Sequence, residues 1–199
     1  MTDLSSLLAA LPSLRTPRLL LRPLGPSYLN QVMASLQDPE AMRLTGTATQ
    51  FTADQVSQFL TAVQGAENRA DWAILRLSDG LYLGEAVLND LDAGNRSMNF
   101  RIGLSSSEVF GQGYGSEATQ AVVRYGFDHL DLHRISLGVY AFNPRARRVY
   151  HKCGFIDEGL ERQALHWEGV WVDQHRMARL ATDPAGEMES MPYEVVSED

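Results

Sequence analysis

One segment constrains the fold more than any other part of this 199-residue chain. Residues 100–118 read FRIGLSSSEVFGQGYGSEA, so a strand-like run leads into three alternating glycines and then into a helical pattern. Backbone N–H groups in such a turn are exposed, and the helix dipole adds partial positive charge. The segment predicts either a pyrophosphate-binding loop or a tight strand-to-helix turn. It is not a P-loop, since no Gly-Lys-Ser/Thr follows, and its glycine spacing differs from the dinucleotide fingerprint.

The periodicity of the remaining chain predicts a mixed α/β fold. Helical patterns cover residues 27–37, 52–63, 115–130 and 143–154. Period-2 or continuous apolar runs, which indicate strands, cover residues 17–24, 72–77, 81–88, 97–104, 134–141, 155–159 and 170–180. Three of these strands follow one another directly, which indicates an antiparallel meander, and later strands alternate with helices. This order predicts one sheet with helices on both faces.

The last predicted helix carries the most informative side chains outside the glycine segment. Asn143 and Pro144 are a favoured N-cap and first helical residue, and Gly154 stands where a helix ends. Tyr150 and Cys153 share the apolar face of this helix. On the residues alone, Tyr150 is a core tyrosine with its hydroxyl at the rim. Cys153 is a small apolar filler rather than a nucleophile.

Charge is distributed unevenly along the chain. The 17 basic and 25 acidic residues give a net charge of −8, which argues against a general nucleic-acid binder. Residues 183–199 contain six acids and no Lys or Arg, so residues 1–182 carry 19 acids against 17 basic residues, a net charge of −2. We therefore expect an N-terminal lead-in over 1–14, one domain over 15–182, and an acidic, disordered tail over 183–199.

Cysteine content and the N-terminus favour a cytoplasmic protein. The single cysteine excludes an internal disulfide framework and a multi-cysteine zinc site, which fits a reducing compartment. No basic region precedes the short apolar run near the N-terminus, so a secretory signal is not expected. No apolar stretch approaches the roughly 18 residues that a membrane-spanning helix needs, so no membrane association is expected.

Together the two informative segments resemble the GNAT superfamily of acetyl-CoA-dependent N-acetyltransferases. Residues 110–115 (FGQGYG) resemble its pyrophosphate motif, and Asn143, Tyr150 and Gly154-Phe155 match the spacing of its Asn…Tyr…Gly-Phe helix. Residues 16–23 (TPRLLLRP) and 95–97 (NRS) resemble a narrower branch, the ribosomal-protein-alanine and spermidine acetyltransferases. The resemblance covers residues 15 to 181.

The resemblance implies a fold, a co-substrate and a site. The fold is a central, mostly antiparallel twisted sheet of about seven strands, splayed between the fourth strand (97–104) and the fifth (134–141), with helices on both faces. Tyr150 occupies the position of the general acid that protonates the departing CoA thiolate, and no metal is required. The positions that match the family's acetyl-CoA contacts are Ile102, Gly103, Leu104, Gly111, Gln112, Gly113, Tyr114, Gly115, Ser116 and Asn143.

The sequence departs from the family at three places. Phe110 stands where Gln or Arg is common, one additional residue lies within 105–107, and Gly138 stands where some relatives carry a glutamate base. A base is nevertheless needed, because a primary amine of pKa near 10 is neutral only about once in a thousand molecules at pH 7. The candidates, with ordered water as a relay, are Glu85, Asp90, Asp92 and His133.

The sequence therefore predicts transfer of an acetyl group from acetyl-CoA to a primary amine by direct attack in a ternary complex. The acceptor is a protein N-terminus, a polyamine or another small cationic amine, which acids such as Glu168 and Asp173 could receive. The alternatives are transfer of another acyl group to a small molecule and a silent module that senses acetyl-CoA. The resemblance also implies a homodimer through the C-terminal strands. Acyl-chain preference and the role of the tail stay open.

Overall fold

The computed structural model describes residues 4–187 and 190–196, in which nine strands form one sheet. The strands are β1 (Ser13–Arg15), β2 (Leu19–Pro23), β3 (Ala70–Arg76), β4 (Tyr82–Asp92), β5 (Ser97–Leu104), β6 (Arg134–Tyr140), β7 (Ile156–Trp167), β8 (Val170–Leu180) and β9 (Glu194–Val196). The helices are α1 (Leu4–Ala9), α2 (Leu29–Ser35), α3 (Pro39–Thr45), α4 (Ala53–Val63), α5 (Tyr114–Asp128) and α6 (Pro144–Lys152).

The strand order across the sheet is β7-β8-β6-β5-β4-β3-β2-β1-β9. Neighbouring strands are antiparallel except β5 and β6, which are parallel and joined by the crossover helix α5. The predicted mixed α/β fold with a mostly antiparallel sheet is confirmed. The described residues hold nine strands rather than about seven, because the short strands β1 and β9 extend one edge.

Local signals fix the ends of the two helices that sequence patterns predict most clearly. Thr52 caps α4 in a reciprocal capping box with Gln55. Asn143 caps α6 through its side-chain oxygen, which accepts a hydrogen bond from the Ala146 amide (3.1 Å), and Pro144 follows as the first helical residue. Gly154 then takes a left-handed conformation (φ +87°) after the last turn.

Two apolar clusters cover the two faces of the sheet. The larger one packs α5 and α6 against the central strands around Trp72, Phe100 and Phe155. The smaller one packs α2 and α4 against Ala73 and Tyr82 on the other face. Helices therefore lie on both faces, as predicted. No helix in the described ranges is long and apolar enough to cross a membrane.

Three elements differ from the sequence-based expectation. The strand predicted over 155–159 extends through Trp167, because residues 160–161 and 165–167 pair with β8, with a register shift between these two runs. The helix α3 was not predicted, although Asp38 caps it and Pro39 opens it. The expected lead-in contributes to the core, since Leu8 of α1 is 1% exposed.

The acidic tail is ordered where the structure describes it, which differs from the disorder expected for residues 183–199. β9 pairs with β1, with Val195 opposite Leu14. The Tyr193 hydroxyl donates a hydrogen bond to Asp128 (2.9 Å), and Arg124 donates one to the Met191 carbonyl (2.9 Å). The pairing with β1 and the contacts of Arg124 and Tyr193 therefore hold this segment against the domain, although its acidic composition alone predicts a solvated chain. The limits of the domain, 15–182, stay a prediction.

Candidate active site

The strands β5 and β6 separate halfway along their length. Ser97, Met98 and Asn99 pair with residues 134–136, and no pairing of these two strands follows. Beyond that point β5 stays paired with β4 up to Leu104, while β6 stays paired with β8 up to Tyr140. The result is a wedge-shaped opening between residues 100–104 of β5 and 137–140 of β6, which we call the open gap. The predicted splay between these strands is confirmed.

A glycine loop follows β5 at the wide end of the open gap. Gly111 (φ +75°) and Gly113 (φ +84°) adopt left-handed conformations, and Gly113 is the N-cap of α5. Residues 111–113 are exposed, and a Cβ added at Gly111 would meet no atom within 4 Å. The first amides of a helix have no intrahelical partner. The loop therefore offers backbone donors and open space, which fit a pyrophosphate group.

Tyr150 of α6 lies beside the open gap on the face of the larger cluster. Its side chain is 6% exposed and packs edge-on against Phe100, with ring centroids 6.3 Å apart, and against Phe155 at 5.9 Å. Phe100 is the first residue of β5 that has left β6. Burial raises the pKa of the Tyr150 phenol well above its ordinary value, and the nearby Cys153 raises it further. The phenol is therefore protonated at neutral pH, as a proton donor must be.

The other predicted residues of α6 have structural contacts. Cys153 is fully buried, with its sulfur 3.8 Å from the Ser116 carbonyl oxygen, so it fills space between α6 and α5. The side-chain oxygen of Asn143 caps α6, which leaves its NH₂ group available as a donor. The guanidinium carbon of Arg145 lies 4.3 Å from the centre of the Phe110 ring. Phe110, which stands where the pyrophosphate motif commonly has Gln or Arg, therefore holds a guanidinium group beside the glycine loop.

On the opposite face, the end of α3 crosses the open gap. Thr45 is 3.4 Å from the position of a Cβ on Gly103 in β5. A Cβ on Gly46 would lie 2.6 Å from the ring of Tyr140 in β6, so Gly46 (φ +67°) lets the chain pack directly on that ring. The helix therefore contacts both separated strands. Sequence reasoning missed this element, and the dipeptide Asp38-Pro39 was the signal that could have found it.

Glu85 is the candidate base that lies next to the open gap. It is directly opposite Gly103 in the β4–β5 ladder, so both residues face the side of the sheet that α3 covers. The Tyr82 hydroxyl donates a hydrogen bond to its carboxylate (2.8 Å). Burial raises the pKa of the Glu85 carboxyl, and the charge of Asp71 raises it further. Gly103 adds no side chain of its own between this carboxyl and the gap, and the methyl group of Thr45 packs over it instead.

The other three candidate bases lie at the paired end of β5 and β6. Asp92 pairs with Ser97 and accepts hydrogen bonds from Asn95. Asp90 and His133 are exposed, and His133 directly precedes β6. Seven residues of extended strand separate Asp92 from Glu85, which corresponds to roughly 20 Å. The topology therefore places these three groups at the opposite end of β5 from the glycine loop.

Two further features complete the surroundings of the open gap. A Cβ on Gly138 would lie 2.6 Å from the Gln174 amide, so that side chain fills the place where some relatives carry a glutamate. Beyond the end of β6 is a cleft of about 580 Å³, which we call the outer cleft. Its side chains include Arg43, Phe142, Trp167, Glu168, Trp171 and Asp173. Across the described ranges, no three His, Cys, Asp or Glu side chains are grouped to hold a metal ion.

Comparison with known proteins identifies a family and relatives that this chain resembles. Residues 18–156 match the family model of the acetyltransferase (GNAT) domain. A probable N-acetyltransferase of Bacillus subtilis, YjcK, is 42% identical over 113 residues, which cover 56% of this chain and 62% of the relative. An FsC-acetyl coenzyme A-N(2)-transacetylase of Aspergillus fumigatus is 28% identical over 155 residues, covering 73% of this chain and 65% of the relative. The chain thus spans less than two thirds of both relatives.

A solved structure shares the fold. The spermidine N-acetyltransferase from Vibrio cholerae, crystallised in complex with CoA and spermine, superposes with a TM-score of 0.77 at 23% identity. The superposition covers 83% of this chain and 96% of that one. At this identity the similarity concerns the backbone, and it includes a sheet of the same architecture.

Proposed function

The chain belongs to the GNAT acetyltransferase family, since the family model matches residues 18–156, and on that premise we propose that it transfers the acetyl group of acetyl-CoA to a primary amine. One observation carries the proposal. Both the glycine loop, which follows β5 at the wide end of the open gap, and the buried phenol of Tyr150, which packs on Phe100 where β5 leaves β6, border the gap on the same face of the sheet. A group that binds phosphate and a group that can protonate a thiolate are thereby brought together.

In the proposed complex, acetyl-CoA extends along the open gap. The backbone of Ile102, Gly103 and Leu104 binds the pantetheine arm, because β6 does not pair with these residues. The amides of residues 111–116 bind the pyrophosphate, and the Asn143 NH₂ group is a further donor. Support for this position comes from the exposure of residues 111–113, from the open space at Gly111 and from the left-handed conformations of Gly111 and Gly113.

The acceptor amine enters from the face that carries α3 and Glu85. The neutral amine attacks the thioester carbonyl, so a C–N bond forms, and a backbone N–H of β5 stabilises the oxyanion. Glu85, through an ordered water, takes the proton that the nitrogen loses. Its raised pKa supports this role, because a carboxylate with a higher proton affinity is a better base near neutral pH.

Collapse of the intermediate breaks the C–S bond on the other face of the sheet. Tyr150 then donates its proton to the departing thiolate and recovers one from solvent. The raised pKa of Tyr150 keeps the phenol protonated until the thiolate forms. Because an ordinary thiol has a pKa of about 8.5, the transfer is uphill in proton affinity, and it is completed when the phenolate regains a proton from solvent. Base and acid therefore act from opposite faces and meet through the open gap. No covalent enzyme intermediate is part of this proposal.

The outer cleft supports an acceptor with a positively charged group. The rings of Trp167 and Trp171 and the carboxylates of Glu168 and Asp173 favour a cation. Arg43, which lies over the ring of Phe142 at 4.9 Å, is neutralised by Glu40 through a bidentate pair at 2.8 and 2.9 Å. A polyamine, a protein N-terminus and a small cationic amine all meet this description. The protein of similar fold from Vibrio cholerae is a spermidine N-acetyltransferase crystallised with the polyamine spermine, which supports this class.

An acetyl-transfer screen with thiol detection tests the proposal. The full chain is incubated with acetyl-CoA and three acceptor sets: polyamines, peptides with free N-termini and aminoglycosides. We expect CoA release that depends on at least one set and a mass increase of one acetyl group on the acceptor. Binding of acetyl-CoA without transfer to any set would contradict the proposal and favour the sensor alternative. Transfer of a longer acyl group in preference to acetyl would favour the other alternative.

A further inference from the structure

Three residues form a hydrogen-bonded cluster behind the glycine loop, and we call it the loop clamp: Thr16, Arg18 and Glu117. The Glu117 side chain is 2% exposed. One of its oxygens accepts hydrogen bonds from the Thr16 hydroxyl (2.7 Å) and the Arg18 amide (2.8 Å). The other accepts one from Nε of Arg18 at 2.6 Å. The turn before β2 is thereby fixed to the first turn of α5.

Arg18 also touches the glycine loop itself. Its Nη1 donates a hydrogen bond to the Gln112 carbonyl (2.9 Å), and its Nη2 lies 3.1 Å from the position of a Cβ on Gly113. Its guanidinium is 4.9 Å from the centre of the Tyr114 ring. One side chain therefore contacts three consecutive loop residues. The Gln112 side chain also donates a hydrogen bond to the Glu108 carbonyl (2.9 Å), but residues 111–113 are exposed and two of them are glycines.

The contact with Gln112 fixes the direction of a backbone donor. In a trans peptide, the carbonyl of one residue and the N–H of the next point in opposite directions. Because Arg18 holds the Gln112 carbonyl, the Gly113 N–H points away from Arg18 and out of the clamp. An amide held in one direction binds an anion with less loss of conformational entropy than one that rotates freely.

The clamp also removes an electrostatic conflict. Glu117 lies in the first turn of α5, where its charge would repel a pyrophosphate bound at the helix N-terminus. The Arg18 guanidinium, paired with it at 2.6 Å, neutralises that charge. A buried carboxylate beside an anion site is tolerated only with such a partner.

We infer that the loop clamp sets the affinity of the glycine loop for the pyrophosphate of CoA. Arg18 and Glu117 act as positioning residues through the backbone of residues 112–114. The inference rests on the proposed function, because it presupposes that the loop binds acetyl-CoA. It gives a function to Thr16 and Arg18 in the segment 16–23, which otherwise shows only a resemblance to a branch of the family.

Binding of three probes to the full chain tests the inference. Calorimetry is run with CoA, with dephospho-CoA, which keeps the pyrophosphate, and with pantetheine, which lacks all phosphates. For Arg18→Ala we expect about a tenfold loss of affinity or more for the first two probes and less than a twofold change for pantetheine. The double variant Arg18→Ala/Glu117→Gln should bind CoA more tightly than Arg18→Ala, because the unpaired carboxylate is gone.

Two further variants separate positioning from general stability. Asp71→Asn breaks a matched pair, in which Nε of Arg69 lies 2.6 Å from a carboxylate that is 1% exposed, and it should leave CoA affinity unchanged. Arg18→Lys keeps the charge but loses the planar fork, so it should bind CoA with intermediate affinity. Thermal unfolding of each variant shows whether it folds. If Arg18→Ala does not fold, the affinity of Arg18→Lys for the three probes tests the inference.

The outcomes distinguish the inference from the function on which it rests. Equal losses for CoA and pantetheine, or a double variant that binds no better than Arg18→Ala, would overturn the inference and leave the proposed function intact. CoA affinity unchanged in Arg18→Ala and Arg18→Lys would do the same. A wild-type chain that binds neither CoA nor dephospho-CoA would overturn both.

Discussion

At one end of the β5–β6 pair, Ser97, Met98 and Asn99 are hydrogen-bonded in register with residues 134–136, whereas at the other end residues 100–104 have left their partner. Near the paired end lie three exposed side chains: Asp90 and Asp92 at the end of β4, and His133, which directly precedes β6. The open end carries the glycine loop, Tyr150 and Glu85. The same two strands thus serve as ordinary sheet at one end and as the candidate site at the other.

The difference shows why carboxylates alone identify a site poorly. Glu85 and Asp92 belong to the same strand, yet they differ in environment. Burial raises the pKa of Glu85, whereas hydrogen bonds from Asn95 lower the pKa of the exposed Asp92. Of these two carboxyl groups, only that of Glu85 is both buried and next to the part of β5 that does not pair with β6. Position along the strand, not residue type, makes the distinction.

The largest expected effect concerns the glycine loop. Gly113→Val forces a β-branched residue into a conformation with φ +84° and pushes a side chain toward Nη2 of Arg18. We expect CoA affinity to fall by about a hundredfold or more, roughly 3 kcal/mol. Calorimetric titration with CoA measures this loss.

Gly169→Val is the matched control for that variant. Gly169 has nearly the same conformation (φ +83°) at the β7–β8 turn, far from the glycine loop in sequence, with no atom within 4 Å of an added Cβ. It should therefore show the cost of backbone strain without a loss of CoA affinity. Equal losses in both variants would mean that the open end has no special relation to CoA.

Tyr150→Phe should have the next largest effect, on turnover. The substitution keeps the aromatic packing against Phe100 and Phe155 but removes the proton donor. We expect kcat to fall roughly a hundredfold, the lower end of the range for general acid–base catalysis, with CoA affinity changed less than twofold. Steady-state kinetics and calorimetry on the same preparation measure both.

Tyr125→Phe is the control for the loss of a buried hydroxyl. Tyr125 is a core tyrosine of α5 that packs edge-on against Trp72 and whose pKa burial raises to about 12. Its replacement should leave kcat unchanged. If Tyr150→Phe retains the wild-type kcat as well, Tyr150 has no part in the chemistry.

The smallest effect expected at the open end concerns pH. Because the pKa of Glu85 is raised, the wild-type kcat should fall as the pH drops through that pKa, where the carboxylate becomes protonated and cannot accept a proton. Glu85→Gln should lower kcat about tenfold at neutral pH, since water partly replaces the base, and should remove this acidic limb.

Asp92→Asn supplies the comparison from the paired end. Asp92 is exposed and lies opposite Ser97, so its replacement should leave the pH profile and kcat within about twofold of wild type, as surface substitutions usually do. An acidic limb that disappears in Asp92→Asn and persists in Glu85→Gln would reverse the assignment of the base.

Local sequence signals predicted the elements of the open end but not their arrangement. Asn143-Pro144 and Gly154 mark α6, and the three alternating glycines mark the turn into α5, because caps and turns are decided within a few residues. The selection of Glu85 over Asp92 depends on the register between β4 and β5, which no local pattern contains. The bridging position of α3 depends on contacts between Gly46 and Tyr140, which are far apart in sequence.

The tail illustrates the same limit at the other edge of the sheet. Composition predicts disorder for residues 183–199, yet β9 pairs with β1, about 180 residues away in sequence. Few residues contribute to that pairing, and the ring of Tyr193 adds contacts with Arg124 and His129. Such nonlocal partners become visible only once the strands of the sheet have been placed.

Hydrogen exchange of backbone amides with and without CoA compares the two ends directly. We expect CoA to slow exchange at residues 102–104 and 111–116 and to leave residues 97–99 and 134–136 unchanged. Protection at the paired end, or none at the open end while CoA binds, would contradict the central claim that the separated strands and the glycine loop form the acetyl-CoA site.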